Sequence, residues 1–203
     1  METGRKISLM LIMLSLILAL LPLTANRSFV ARPETLLQDV LSDETSFSAD
    51  QVAEFIVRED STVQLIGLGM PGEFRSQILP GAVNVSYEEF ITGNPEIWLG
   101  NRNIKTIFYS GGNLEASYAV AYARGMGYRN AYSMKGGLAE WNRTIIKSRF
   151  TGERITAREN ALYETRRRAA EMFTELNALP DSLKAGFLAS RKFSARKLDG
   201  GCE

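Results

Sequence analysis

The sequence predicts an α/β fold, a parallel sheet flanked by helices. Three observations lead there. Between residues 47 and 147, short β-branched and aromatic runs alternate with helix-patterned segments, the order of βα units rather than of hairpins. Lys105-Thr-Ile-Phe-Tyr109 reads as an interior strand, with Ile107 and Phe108 apolar on opposite faces. The segment after it carries Ala116, Ala119, Val120 and Ala123, small side chains that let a helix lie close on a sheet.

The elements follow in order. Ser48 is placed to cap a helix running through Val52, Phe55 and Ile56. Residues 63–66 read as a strand, 71–76 as a helical turn and 82–85 as a second strand. Residues 87–91 are helical in pattern until Asn94-Pro95 interrupts them. The strand ending at Tyr109 enters a loop, Ser110-Gly111-Gly112-Asn113, and a helix over 114–126 that Gly127 stops. A strand over 130–134, a Gly136-Gly137 turn and a helix over 138–146 with Trp141 close the unit.

Both ends of the chain are of a different character. Arg5 and Lys6 precede an apolar stretch over 7–23, the pattern of a signal peptide or a membrane anchor over 1–26. Its length lies between a signal-peptide core and the roughly 20 residues of a full span, and Leu23-Thr24-Ala25 is a poor cleavage site. Either reading places the rest outside the cytoplasm, anchored in a membrane facing the periplasm or secreted to it. Residues 27–46 read as a linker with a short helix bearing Leu36, Leu37, Val40 and Leu41 after Pro33. Residues 148–203 form a helical extension. Within it, 151–179 carries Ile155, Leu162, Ala169, Met172 and Leu176 as an apolar stripe, with Arg166-Arg-Arg168 on the solvated side. Pro180 ends that helix and Asp181 can cap a shorter one through Leu183, Phe187 and Leu188. This extension either packs on its own domain or recruits an as yet unknown protein partner. The basic run Arg191 to Lys197 could touch anionic lipid or simply be a solvated face.

Composition excludes several classes of function. The 203 residues contain no histidine and one cysteine, Cys202, so the Ser-His-Asp and Cys-His arrangements and Cys/His zinc sites cannot be built. No intramolecular disulfide is possible. No metal or cofactor is implied, and a net charge of +1 gives no reason to expect nucleic acid.

Two motifs add a resemblance. Gly72-Glu73-Phe74-Arg-Ser-Gln-Ile78-Leu-Pro80-Gly81-Ala82-Val-Asn84 looks like a stretch ending in His-Ile-Pro-Gly-Ala-x-Asn. Gly127-Tyr128 through Gly136-Gly137 to Trp141 looks like Gly-Tyr-x-x-Val-x-x-Leu-x-Gly-Gly-x-x-x-Trp. Together, in this order and at this distance, they resemble the rhodanese-like family. The resemblance implies an active loop after the central strand that begins with a sulfur-carrying cysteine and cradles an anion with its amides. Counting back from Gly127-Tyr128 puts Ser110 at the cysteine position, with Gly111, Gly112, Asn113, Leu114 and Glu115 following. Serine has no sulfur to carry and is a far weaker acid than a thiol. Glu115 stands where many relatives place an anion-attracting arginine, although a glutamate there also suits the helix dipole. Ile66-Gly67-Leu68-Gly69 replaces Ile-Asp-Val-Arg, removing the loop's brace, and Ile78 replaces the family's histidine. No catalytic residue is assigned to this degenerate loop, and its glycines read foremost as a tight turn that needs glycine.

The functional expectation is an exported or membrane-anchored rhodanese-like pseudoenzyme, a binding, scaffold or regulatory module. The alternative is a sulfurtransferase-type enzyme using Cys202, or other chemistry at the Ser110 loop. A third possibility is a small anion held by the amides of Gly111 to Asn113.

Overall fold

In a computed structural model, the described residues are 2–20, 30, 34, 36, 43–69, 77–149, 156–184, 186 and 187. Five strands, β1 (Ser46–Phe47), β2 (Val63–Leu68), β3 (Val83–Val85), β4 (Lys105–Tyr109) and β5 (Ala131–Met134), form one sheet in the order β1-β5-β4-β2-β3. Every pairing is parallel, so each connection must cross over, and helices fill those from β1 to β2, from β3 to β4 and from β4 to β5. α1 is Glu2–Leu20, α2 Ala49–Arg58, α3 Tyr87–Thr92, α4 Glu96–Leu99, α5 Leu114–Gly125, α6 Gly137–Trp141 and α7 Ala157–Ala178.

Side-chain alternation in the strands builds a core on each face. Leu65, Ile107, Tyr109 and Met134 point to one side and pack with Val52 and Ile56 of α2 and with Trp141. Ile66, Leu68 and Phe108 point to the other, against Phe90 of α3 and Ala116, Ala119 and Ala123 of α5. The alanines do what their size suggests, since all three are fully buried.

Local rules account for most boundaries. The Ser48 hydroxyl accepts the Gln51 amide while the Gln51 side chain accepts the Ser48 amide, a reciprocal cap. Ser86 caps α3 through the Glu89 amide. Strand β2 continues two residues past the expected 66, and β1 and α4 occur where no element was expected. β1 is only two residues long, so it carries no periodic signal of its own, and it brings part of the expected linker into the sheet. The closing helix is α-helical only to Trp141 and continues as a π-helix over Asn142–Ile146.

The C-terminal helix begins at Ala157 and is capped by Thr156 and Glu159. It lies on the domain, with Ala169, Phe173 and Leu176 buried in the same core as Trp141 and Ile145. Of the expected stripe, Ala169 and Leu176 are buried, Met172 is partly buried and Leu162 is 39% exposed. Phe173 is the apolar anchor that the heptad spacing passed over. The arginine run is not uniformly solvated: Arg166 turns inward and grips both Asp50 carboxylate oxygens at 2.6 and 2.7 Å. Its long stem lets it cross to α2, while Arg167 pairs with Glu164 and Glu171 along its own helix.

The N-terminal segment is helical, but no helix among the described residues is long and apolar enough to cross a membrane. The apolar part of α1 begins only at Ile7, after Arg5 and Lys6, and ends with the helix at Leu20. At 1.5 Å per residue this described part is about 21 Å long. The expected apolar stretch runs on to residue 23, and its residues 21–23 lie outside the described residues; within α1, Met10, Ile12 and Met13 are exposed. The expected turn over 71–76, the linker helix apart from Glu34 and Leu36, Ile155, Leu188, the basic run and Cys202 lie outside the described residues.

Candidate functional site

Parallel strands gather their C-terminal ends on one edge, where Ser110–Asn113 leaves β4 and Gly136-Gly137 leaves β5. The two turns are clasped by their backbones. Leu138 donates its amide to the Ser110 carbonyl at 2.8 Å, and Ala139 donates to the Gly111 carbonyl at 3.1 Å. Asn113 completes the clasp by accepting the Gly136 amide on Oδ1 at 3.3 Å, rather than capping α5. Gly137, at φ +56°, is what permits this approach, because a Cβ there would sit 1.9 Å from the Gly112 carbonyl oxygen.

Ser110 is 3% exposed, and its hydroxyl donates to the Gly112 carbonyl at 3.1 Å. A nucleophile needs a base within hydrogen-bond reach, and this hydroxyl is instead engaged by its own loop. Gly111 and Gly112 have open space where a Cβ would stand and no positive φ. The expectation that this turn needs glycine is therefore corrected. The steric requirement sits across the clasp at Gly137, which the sequence shows only as half of a Gly-Gly pair.

Beyond the turn, Leu114 and Tyr118 are exposed on consecutive turns of α5. Glu115 is exposed between them. The half-buried Tyr87 phenol is held above its ordinary pKa, first by burial and then by Tyr118 and Glu115, which puts all three on one rim. This rim is apolar and acidic, the opposite of an anion-attracting mouth. Among the described residues no group of three His, Cys, Asp or Glu side chains gathers to hold a metal.

The brace position has been rebuilt. Gly67 pairs in register with Asn84 on one side and Tyr109 on the other. The Tyr109 phenol crosses over Gly67, accepts the Leu79 amide at 3.2 Å and donates to Asn84 Oδ1 at 3.4 Å. Burial raises the Tyr109 pKa far above its usual value, so the phenol stays neutral. Ile78, at the family's histidine position, is buried, and its amide and carbonyl are bound by the Asn177 side chain of α7 at 2.9 and 3.0 Å. Neither Tyr109 nor Asn177 carried a sequence signal for these roles. A shallow groove of about 360 Å³ between the π-helix and α7 is lined by Ile145, Ile146, Tyr163 and Arg167 among others, none of them from the Ser110 loop.

The rhodanese-like domain family matches residues 48–144. A tRNA uridine(34) hydroxylase of Prochlorococcus marinus (strain MIT 9515) is 31% identical over 86 residues, covering 40% of this chain and 28% of the relative. The chain thus spans about a quarter of the length of that curated relative. Among solved structures, the rhodanese-like domain from Anabaena is similar with a TM-score of 0.42 at 14% identity, covering 56% of this chain and 92% of that one. A single-domain sulfurtransferase from Saccharomyces cerevisiae has a TM-score of 0.42 at 21% identity, with 49% and 89% covered. Residues 48–144 of this chain belong to the rhodanese-like domain family.

Proposed function

We propose that this protein is an exported or membrane-anchored binding module, a rhodanese-like domain that no longer transfers sulfur. The observation that carries this reading is the state of Ser110: it stands where the resemblance expects the sulfur carrier, it is 3% exposed, and its hydroxyl serves its own loop. The rim of Tyr87, Leu114, Glu115 and Tyr118 supports it, because exposed aromatic and aliphatic groups beside an acid suit a protein surface better than an anionic sulfur donor. The N-terminal apolar helix with Arg5 and Lys6 at its start supports attachment to a membrane.

The test is a cyanide–thiosulfate assay on the full-length chain and on Cys202→Ala. We expect neither to turn over above background. Robust turnover by the wild type would end the pseudoenzyme reading, and its loss in Cys202→Ala would assign the sulfur carrier to the tail. A crosslinking pull-down then compares the wild type with Leu114→Ser/Tyr118→Ser. Identical partners in both would remove the rim from the binding surface.

A further inference from the structure

We infer that the basic segment Arg191–Lys197 of this same chain folds back onto the rim of Tyr87, Leu114, Glu115 and Tyr118 and covers it. The inference rests on the reading of that rim as a binding surface and adds the element that regulates it.

The rim is an apolar helix face with no cover among the described residues. α3 lies against α5 here, and the Tyr122 hydroxyl donates to the Ile91 carbonyl at 3.2 Å. Leu114 and Tyr118 are 59% and 53% exposed on successive turns of α5, so their side chains lie together. Large apolar groups exposed side by side mark a contact surface, whereas single ones do not.

Charge selects the occupant. Glu88 and Glu89 are exposed in the first turn of α3, and Glu115 is exposed in the first turn of α5. No lysine or arginine occurs in α3 or in the first two turns of α5. The two helix N-termini offset about half a charge each, and Lys135 stands before the Gly136-Gly137 turn on the same edge. The carboxylates still outnumber what opposes them. Other surfaces differ. Asp50 has Arg166 beside it, Glu54 has Arg58, Glu140 has Arg143, and Glu164 and Glu171 share Arg167. At the opposite edge of the sheet, Glu59, Asp60 and Glu96 are matched by Arg102, Lys105 and Arg129. The segment Arg191-Lys-Phe-Ser-Ala-Arg-Lys197 supplies the complement: four cations around one phenylalanine, with Leu198 following. Its cations answer the acids, and Phe193 answers Leu114 and Tyr118.

The chain also comes to this edge before it leaves the described residues. The Asn177 side chain binds Ile78, and the next residue, Leu79, donates to the phenol of Tyr109, which immediately precedes the Ser110 loop. Phe187 is the last described residue and packs on the same core as Ile78 and Leu79. Ten residues lead from Phe187 to Lys197, a reach of at most about 35 Å. That reach permits the contact, and the charges and Phe193 choose it. A partner of the same basic and aromatic chemistry would have to displace the segment to gain the rim.

The test places a nitroxide on Cys202, the single cysteine, in the full-length chain and records backbone amide signals by NMR. The expected result is an at least twofold loss of the Leu114, Glu115 and Tyr118 signals relative to the reduced label. The signals should recover in Arg191→Glu/Lys192→Glu/Arg196→Glu/Lys197→Glu, and at about 1 M salt, where charges are screened beyond about 3 Å. Rim signals untouched in the wild type would overturn the inference and leave the binding-module reading standing. Equal broadening in the wild type and the charge-reversed chain would overturn the charge complementarity on which it is built. In a mixture of spin-labelled chains with isotope-labelled chains that carry no nitroxide, rim broadening of the same strength would assign the segment to a second copy and overturn the fold-back.

Discussion

Tyr109 lies across the α-carbon of Gly67, its in-register partner on the neighbouring strand: a Cβ built on Gly67 would stand 2.8 Å from the phenol oxygen and 2.9 Å from Cζ. The glycine and the tyrosine are two halves of one arrangement, with the phenol filling the space an ordinary residue at position 67 would need. Gly67→Ala should destabilise the domain by about 1–3 kcal/mol through overpacking. Tyr109→Phe should cost about 1–3 kcal/mol by leaving the Leu79 amide unpaired. In the double variant the phenol oxygen is gone and Asn84 Oδ1, the nearest atom to that Cβ at 2.5 Å, is no longer held by it, so the combined loss should fall short of the sum by at least about 0.5 kcal/mol. A double-mutant cycle in urea measures this, and strict additivity would contradict the pairing.

The clasp under the loop gives a contrast between glycines. Gly137→Ala should cost at least about 3 kcal/mol, combining a strained positive φ with a clash against the Gly112 carbonyl. Gly111→Ala meets open space and should change stability by no more than about 0.5 kcal/mol. Thermal denaturation of the two variants separates them, and similar melting temperatures would be inconsistent with the clasp.

The last helix should behave as part of the core. Phe173→Ala removes a ring that packs on Trp141 and is expected to cost about 3–5 kcal/mol. Asn177→Leu leaves the Ile78 amide and carbonyl without their partner and should cost about 1–3 kcal/mol. Truncation after residue 149 should abolish cooperative unfolding, read by near-ultraviolet circular dichroism. A truncated chain that melts like the full one would refute the helix's structural role.

Acid sensitivity follows from Asp60. Thr62 donates its hydroxyl and amide to that carboxylate and lowers its pKa below the ordinary 3.8, with Lys105 and Arg58 adding smaller effects. The folded pKa lies below the unfolded one, so the contribution is fully present above about pH 4 and fades as pH falls through the depressed value. Asp60→Asn should therefore be less stable than wild type at pH 6, with the gap closing below pH 4. A gap of constant size across a pH series of urea melts would rule this out.

Much of this fold is legible in the sequence because it is written in local chemistry. Ser48 before Val52 and Ile56 announces a capped helix, and the alanines of α5 announce close packing. The loop after Tyr109 is found by counting, and its serine is plain to see. Long-range partners are what the sequence hides. Nothing local to Asn177 points to Ile78, 99 residues earlier, and nothing local to Arg166 points to Asp50, 116 residues earlier. Phe173 sits between two heptad positions, yet Ala169, Phe173 and Leu176 follow the i, i+4, i+7 spacing of one α-helical face, which a strict heptad passes over. The glycine requirement falls at Gly137, across the clasp from the loop that the sequence points to, because a steric limit belongs to a pair of segments and the sequence shows them one at a time.

The docking of the last helix also has a kinetic meaning. A core begun at Ala49 is walled off only when Ala169, Phe173 and Leu176 arrive. Contacts so distant along the chain must close large loops before they return any free energy, and that slows folding. On this face a growing chain thus stays open until Leu176 has been made, while the core of Ile66, Phe108 and Ala119 on the other face can close earlier.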